Sequence, residues 1–152
     1  MTATNHALTG AAIAFLIGNP LVAIPAALLS HFVCDALPHY GSSKPNEVYL
    51  KSNSFKVFLA SDAVLCVVLE LTLVLVRPRD WLLAAICAFI ATSPDLFWIA
   101  MFKRAQDGKK LKSSNRFLKF AGDIQWFQRP IGGVVEFAWL IAGVTVITMF
   151  LR

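Results

Sequence analysis

Long apolar runs alternate with short polar connections along this chain. Val57 to Val76, Trp81 to Phe102 and Ile131 to Leu151 each approach or exceed the ~20 apolar residues that a membrane-spanning helix needs. An earlier apolar stretch, Ala7 to Leu37, is interrupted by Gly18-Asn19-Pro20, a turn signal. The pattern predicts helices over residues 6–17, 21–37, 57–76, 81–102 and 131–151. Thr4 or Asn5 is placed to cap the first of these, and Pro25 lies near the first turn of the second. The first helix is shorter than the hydrocarbon layer is thick, which leaves two topologies open. Either the first two helices form a hairpin, or they are one kinked and tilted span.

After the third long run the period changes. Phe117, Phe120, Ala121, Ile124 and Phe127 recur at helical spacing, with Arg116, Lys119 and Asp123 on the other side. This predicts an amphipathic helix over residues 115–128 lying in the headgroup layer, with Trp126 as an interfacial anchor. No internal repeat or low-complexity segment is present. The expected fold is an all-α, integral membrane helical bundle in a single domain, 1–152. It has three clear spans, an N-terminal short-helix hairpin and an interfacial helix.

Composition agrees with a membrane protein. Of 152 residues, 57% are hydrophobic and only 15% charged, against about 25% charged in soluble domains. The start lacks the basic region of a secretory signal peptide. Cys34, Cys66 and Cys87 are odd in number, lie in apolar segments and have no CxxC spacing, so reduced, buried thiols are expected. Cys34 adjoins Asp35 but points to another side of a helix, which argues against it as a ligand.

The net charge of +5 admits nucleic acid or anionic lipid as a partner. Placement favours the membrane. Lys44, Lys51 and Lys56 sit in one connection; Lys103, Arg104, Lys109, Lys110, Lys112, Arg116, Lys119 and Arg129 sit in another. With three spans these eleven share one face, against Arg77, Arg79 and Arg152 opposite. That asymmetry puts loops 40–56 and 103–130 in the cytoplasm of a cell whose inner membrane holds the chain. No nucleic-acid partner is needed to explain the charge; membrane lipids are the expected partners, and an oligomer is compatible with the pattern.

The chemistry gathers in Ser30 to His39, which closes an apolar run yet holds two of the three histidines and an aspartate. On a helix, His31 and Asp35 share a face four residues apart, and His39 follows a further four along, past Pro38. Asp62 lies six residues past Lys56, roughly 9 Å in from the same surface, and Asp95 lies eight before Lys103, roughly 12 Å in. A hairpin at Gly18-Asn19-Pro20 returns His6 to that layer, whereas a kinked span puts it on the opposite face. The hairpin is favoured. His6, His31, Asp35, His39, Asp62 and Asp95 are therefore the expected metal ligands, a set of N and O donors that suits one or two Zn²⁺ or Mn²⁺ ions. Glu136 is placed as a partner behind the ligands or as a proton acceptor, so Asp35, Asp62 and Glu136 are the candidate catalytic groups. Gln125 and Asp123 reach the rim if the amphipathic helix folds over it.

Each residue also has a plainer explanation. Asp95 after Ser93-Pro94 is placed to cap a helix that restarts after a break, Asp62 to pair with Lys56, and Asp35 only to hydrogen-bond His31. For all six together the plain account weakens, because buried carboxylates without cations are costly.

Asn5-His6 before Gly10, Ser30-His31…Asp35…Pro38-His39 and the later Asp95 resemble the bacterial family of membrane-bound metal-dependent hydrolases. The resemblance covers the first hundred residues; the His-Arg-Gly…Thr-His segment that many members carry is not found. It implies a small helical membrane protein with a histidine- and aspartate-rich metal site. The expected function is hydrolysis of a lipid phosphoester or ester, with basic Lys51, Lys103 and Arg104 attracting an anionic headgroup. The alternative is a non-enzymatic membrane scaffold or accessory subunit, in which a structural metal or His/Asp cluster joins short helices. Transport ranks last, since only Glu70 lies toward the far side.

Overall fold

A computed structural model describes residues 1–43, 46–108 and 116–152. They form an all-α fold of α1 (Ala3–Ile17), α2 (Pro20–Ala36), α3 (Asn46–Tyr49), α4 (Asn53–Val76), α5 (Trp81–Thr92), α6 (Leu96–Gln106), α7 (Arg116–Ile124) and α8 (Gly132–Phe150). A 3-10 turn, Ser93–Asp95, joins α5 to α6 at Pro94. Among the described residues there is no strand, only an isolated bridge between His39 and Gln128. Asn53–Val76, Trp81–Gln106 and Gly132–Phe150 are long and apolar enough to cross a membrane. Their outer faces carry exposed Val57, Leu75, Phe89, Val134 and Phe137, a surface that lipid rather than water would cover.

A short apolar helix, α1, is the central one. α1 packs against α2, α4, α5 and α8. It can do so because the contacts are made by small residues: Ala7, Ala11 and Ala14 on α1, Ala23 and Ala27 on α2, and Ala84, Cys87, Ala88 and Ala91 on α5 are all buried. Small side chains let helix backbones approach closely where lipid offers no hydrophobic drive to association. At Gly10 the approach is so close that an added Cβ would land on the Cys87 carbonyl oxygen.

The break at Gly18-Asn19-Pro20 makes a hairpin. Gly18 ends α1 in the left-handed region at φ 66°, with its N–H bonded to the Ala14 carbonyl at 2.8 Å. Asn19 then caps α2 by accepting from the Leu21 N–H at 3.0 Å, and Pro20 fills the first helical position. The reversal brings the start of α1 beside the end of α2, where the rings of His6 and His31 stack with centroids 4.0 Å apart.

Several boundaries differ from expectation. α1 begins at Ala3 with Thr2 as its cap, rather than at His6 behind Thr4 or Asn5. The cause is Asp62 of α4, whose carboxylate accepts from the Ala3 and Thr4 N–H groups and draws an extra turn into the helix. α4 likewise starts early, at Asn53, because Ser52 accepts from the Phe55 N–H. Pro25 falls inside α2 rather than in its first turn. α7 stops at Ile124 because Gln128 and Arg129 leave to pair with the His39–Gly41 backbone. The expected helix start at Asn115, the basic residues Lys109, Lys110 and Lys112, and Lys44-Pro45 lie outside the described residues.

Candidate metal centre

Three elements contribute ligand atoms to one buried point. His6 comes from the first turns of α1, His31 from the last turns of α2, and Asp95 from the 3-10 turn after α5. One ligand atom of each lies within 4.8 Å of the others, so the group could hold a metal ion. Asp95 opens α6 but makes no capping hydrogen bond there. Its Oδ1 instead faces His31 Nε2 at 3.9 Å.

The protons on the imidazoles follow from their neighbours. His31 Nδ1 lies 2.8 Å from the Ala91 carbonyl oxygen, which accepts only, so Nδ1 carries a proton and donates it. A neutral His31 then presents the Nε2 lone pair to Asp35 Oδ2 at 3.3 Å and Asp95 Oδ1 at 3.9 Å. Three electron-rich atoms facing one another need a cation or a second proton between them. His6 Nε2 lies 3.2 Å from Asp35 Oδ1 and donates to it, which leaves Nδ1 as the lone-pair nitrogen. That atom is buried and has no hydrogen-bond partner. Orphaned buried polar atoms are uncommon and costly. The donor set of two imidazole nitrogens and a carboxylate is one that divalent transition metals accept.

Asp35 stands behind this group. Its Oδ1 receives His6 Nε2 and the Met1 ammonium at 2.5 Å; its Oδ2 faces His31 Nε2 and accepts from Gln125 Nε2 at 3.0 Å. Through Oδ1 Asp35 orients His6, the usual task of a carboxylate behind a metal-binding histidine, while its Oδ2 lies on the lone-pair side of His31. Gln125 reaches it because α7 lies across the site. Phe117 and Phe120 of α7 pack on Phe32 of α2, and Phe117 also meets Phe97 of α6. Asp123 is exposed and does not reach inward.

The other sequence candidates sit apart from the triad. Asp62 is buried at the same depth but on another side of α1, where it accepts from Ala3 N at 2.8 Å, Thr4 N at 2.9 Å and Thr4 Oγ1 at 2.5 Å. Glu136 on α8 accepts from the Tyr40 N–H at 3.0 Å, while its own carbonyl accepts from Asn5 Nδ2 at 3.0 Å. His39 donates Nδ1 to the Leu37 carbonyl at 2.8 Å, and its Nε2 is buried without a partner. Burial lowers the His39 pKa, helped by the charge of the Met1 ammonium. The Ala91 carbonyl fixes the His31 tautomer and left no trace in the sequence, because any residue supplies a carbonyl. The Met1 ammonium was missed too, although α1 starting at Ala3 carries it into the cluster. The chain matches no family model, no curated protein and no solved structure.

Proposed function

We propose that this protein is a membrane-embedded, metal-dependent hydrolase that cleaves a lipid ester or phosphoester. One Zn²⁺ or Mn²⁺ ion would be held by His6, His31 and Asp95. The observation that carries the reading is the convergence of those three side chains, with His6 Nδ1 buried and without a hydrogen-bond partner. When bound, such an ion polarises a carbonyl or phosphoryl oxygen and makes water nucleophilic at neutral pH. The chain's own residues do the rest. Asp35 and the Ala91 carbonyl hold the imidazoles in register, α7 shields the site, and Asp95, 27% exposed, gives the site its opening. The same residues carry the resemblance to bacterial membrane-bound metal-dependent hydrolases, and the lysine- and arginine-rich connections support a site facing the cytoplasm from the inner membrane. Those connections would gather anionic headgroups near it.

A structural ion is the second reading, favoured by how little of the site is open: His6 is 0% and His31 1% exposed. A long-chain p-nitrophenyl ester and a matching phosphodiester, presented in mixed micelles to the purified protein, separate the two. The hydrolase reading expects turnover that EDTA abolishes, that Zn²⁺ or Mn²⁺ restores, and that His31→Ala lacks. A bound ion without turnover of either substrate, together with a lower melting temperature after chelation, would establish the structural reading instead.

A further inference from the structure

A second candidate site lies on another side of α1 from His6 and His31. A cavity of about 510 Å³ opens between α4 and α8, floored by the first turns of α1. Its α4 wall is formed by Ser54, Phe58, Ser61, Asp62 and Leu65, one face of that helix at successive turns. Gly133, Glu136, Phe137 and Leu140 do the same on α8. The two walls change character together. Toward the helix starts the lining is polar, with Thr2, Asn5, Tyr40 and Tyr49 joining in; deeper it is Leu65, Phe137 and Leu140. Ser54 to Leu65 is roughly 16 Å along the axis, the length of the whole groove from its polar to its apolar end.

The polar end is unusual in its charge. It holds the carboxylates of Asp62 and Glu136, and among the described residues no Lys or Arg lines it. Asp62 is stabilised by the N-terminal amides of α1, where an anion is favoured by the helix dipole. Glu136 receives one bond, from Tyr40, at Oε1, and among the described residues none at its other oxygen. Asn5 is 1% exposed and lines the cavity, yet its Oδ1 accepts from no group. An acceptor left bare in a chamber of acceptors calls for a ligand that brings donors. We propose that this groove binds a single-chain amphiphile with a protonated amine head, the amine between Glu136 and Asn5 and the chain between α4 and α8. An anionic head would meet two carboxylates and no counter-charge. The proposal is independent of the metal centre, which shares only α1 with the groove.

Native mass spectrometry of the full-length protein, released from micelles containing EDTA and equal amounts of dodecylamine, dodecanol and dodecyl phosphate, tests it. One dodecylamine per chain should be retained, at least tenfold more often than dodecyl phosphate. Glu136→Gln should cut that preference severalfold, and Leu140→Trp, which fills the apolar end, should abolish retention of the amine. Leu65→Trp blocks the groove from the other wall and serves if Leu140→Trp does not fold, as judged by circular dichroism. Equal retention of all three amphiphiles, a preference for the phosphate, or retention unaffected by the groove-filling variants would overturn the proposal.

Discussion

At the scale of single residues, two carboxylates in one layer, Asp62 buried and Asp95 partly open, have different work. Asp95 faces His31, whereas Asp62 serves the first turn of α1 with three accepted hydrogen bonds. Asp62→Asn should therefore lower unfolding stability by about 1–3 kcal/mol, by weakening buried hydrogen bonds, while leaving bound metal unchanged. Asp95→Asn should do the reverse, with loss of metal and little loss of stability; thermal unfolding paired with metal analysis reads both. His39 carries a pH prediction. Its pKa is lowered by burial from the ordinary 6.5, so on acidification the unfolded chain takes up the proton before the folded one does. Stability contributed by neutral His39 is present above about pH 6.5 and is lost as pH falls below it. The melting temperature of His39→Gln should fall less between pH 7.5 and pH 5.5 than that of the native protein. Parallel curves would show that His39 is not buried as a neutral group.

At the scale of elements, the hairpin and the small-residue seam decide whether the site exists. Gly10 has no room for a side chain against the Cys87 carbonyl, so Gly10→Val should separate α1 from α5 and cost about 1–3 kcal/mol or more. Gly18→Val meets open space but a left-handed φ of 66°, so its cost is local strain of order 1 kcal/mol. If denaturant unfolding showed the two variants equally mild, the close α1–α5 seam would be wrong. Much of this was legible in the chain. Gly18-Asn19-Pro20 announced the hairpin because each residue there has its own turn chemistry, and the four-residue spacing of His31 and Asp35 placed them on one face. Counting residues from the ends of apolar runs also found the layer shared by Asp62 and Asp95. Such a count measures depth and not direction around the bundle. It therefore grouped Asp62 with the ligands, although its carboxylate turns toward the amides of α1. The groove escaped for the same reason: Asn5, Asp62 and Glu136 meet through the relative rotation of three helices, which no single segment encodes.

At the scale of the whole molecule, three helices able to cross a membrane enclose a polar layer near one end, and the proposed orientation, argued from the charge asymmetry, turns that end toward the cytoplasm. Arg79 in the tight turn between α4 and α5 is exposed, so Arg79→Cys should react with a membrane-impermeant maleimide on intact cells, whereas Lys51→Cys should react only after lysis. The opposite labelling would invert the topology and place the His/Asp layer outside. The most direct test of the metal centre itself is elemental analysis of the protein extracted in mild detergent without chelators. One Zn or Mn per chain is predicted, lost in His6→Ala, His31→Ala and Asp95→Asn but kept in Asp62→Asn. Native protein that carries no metal after extraction and takes up none on addition would contradict it, and would leave His31 held between Asp35 and Asp95 by a proton alone.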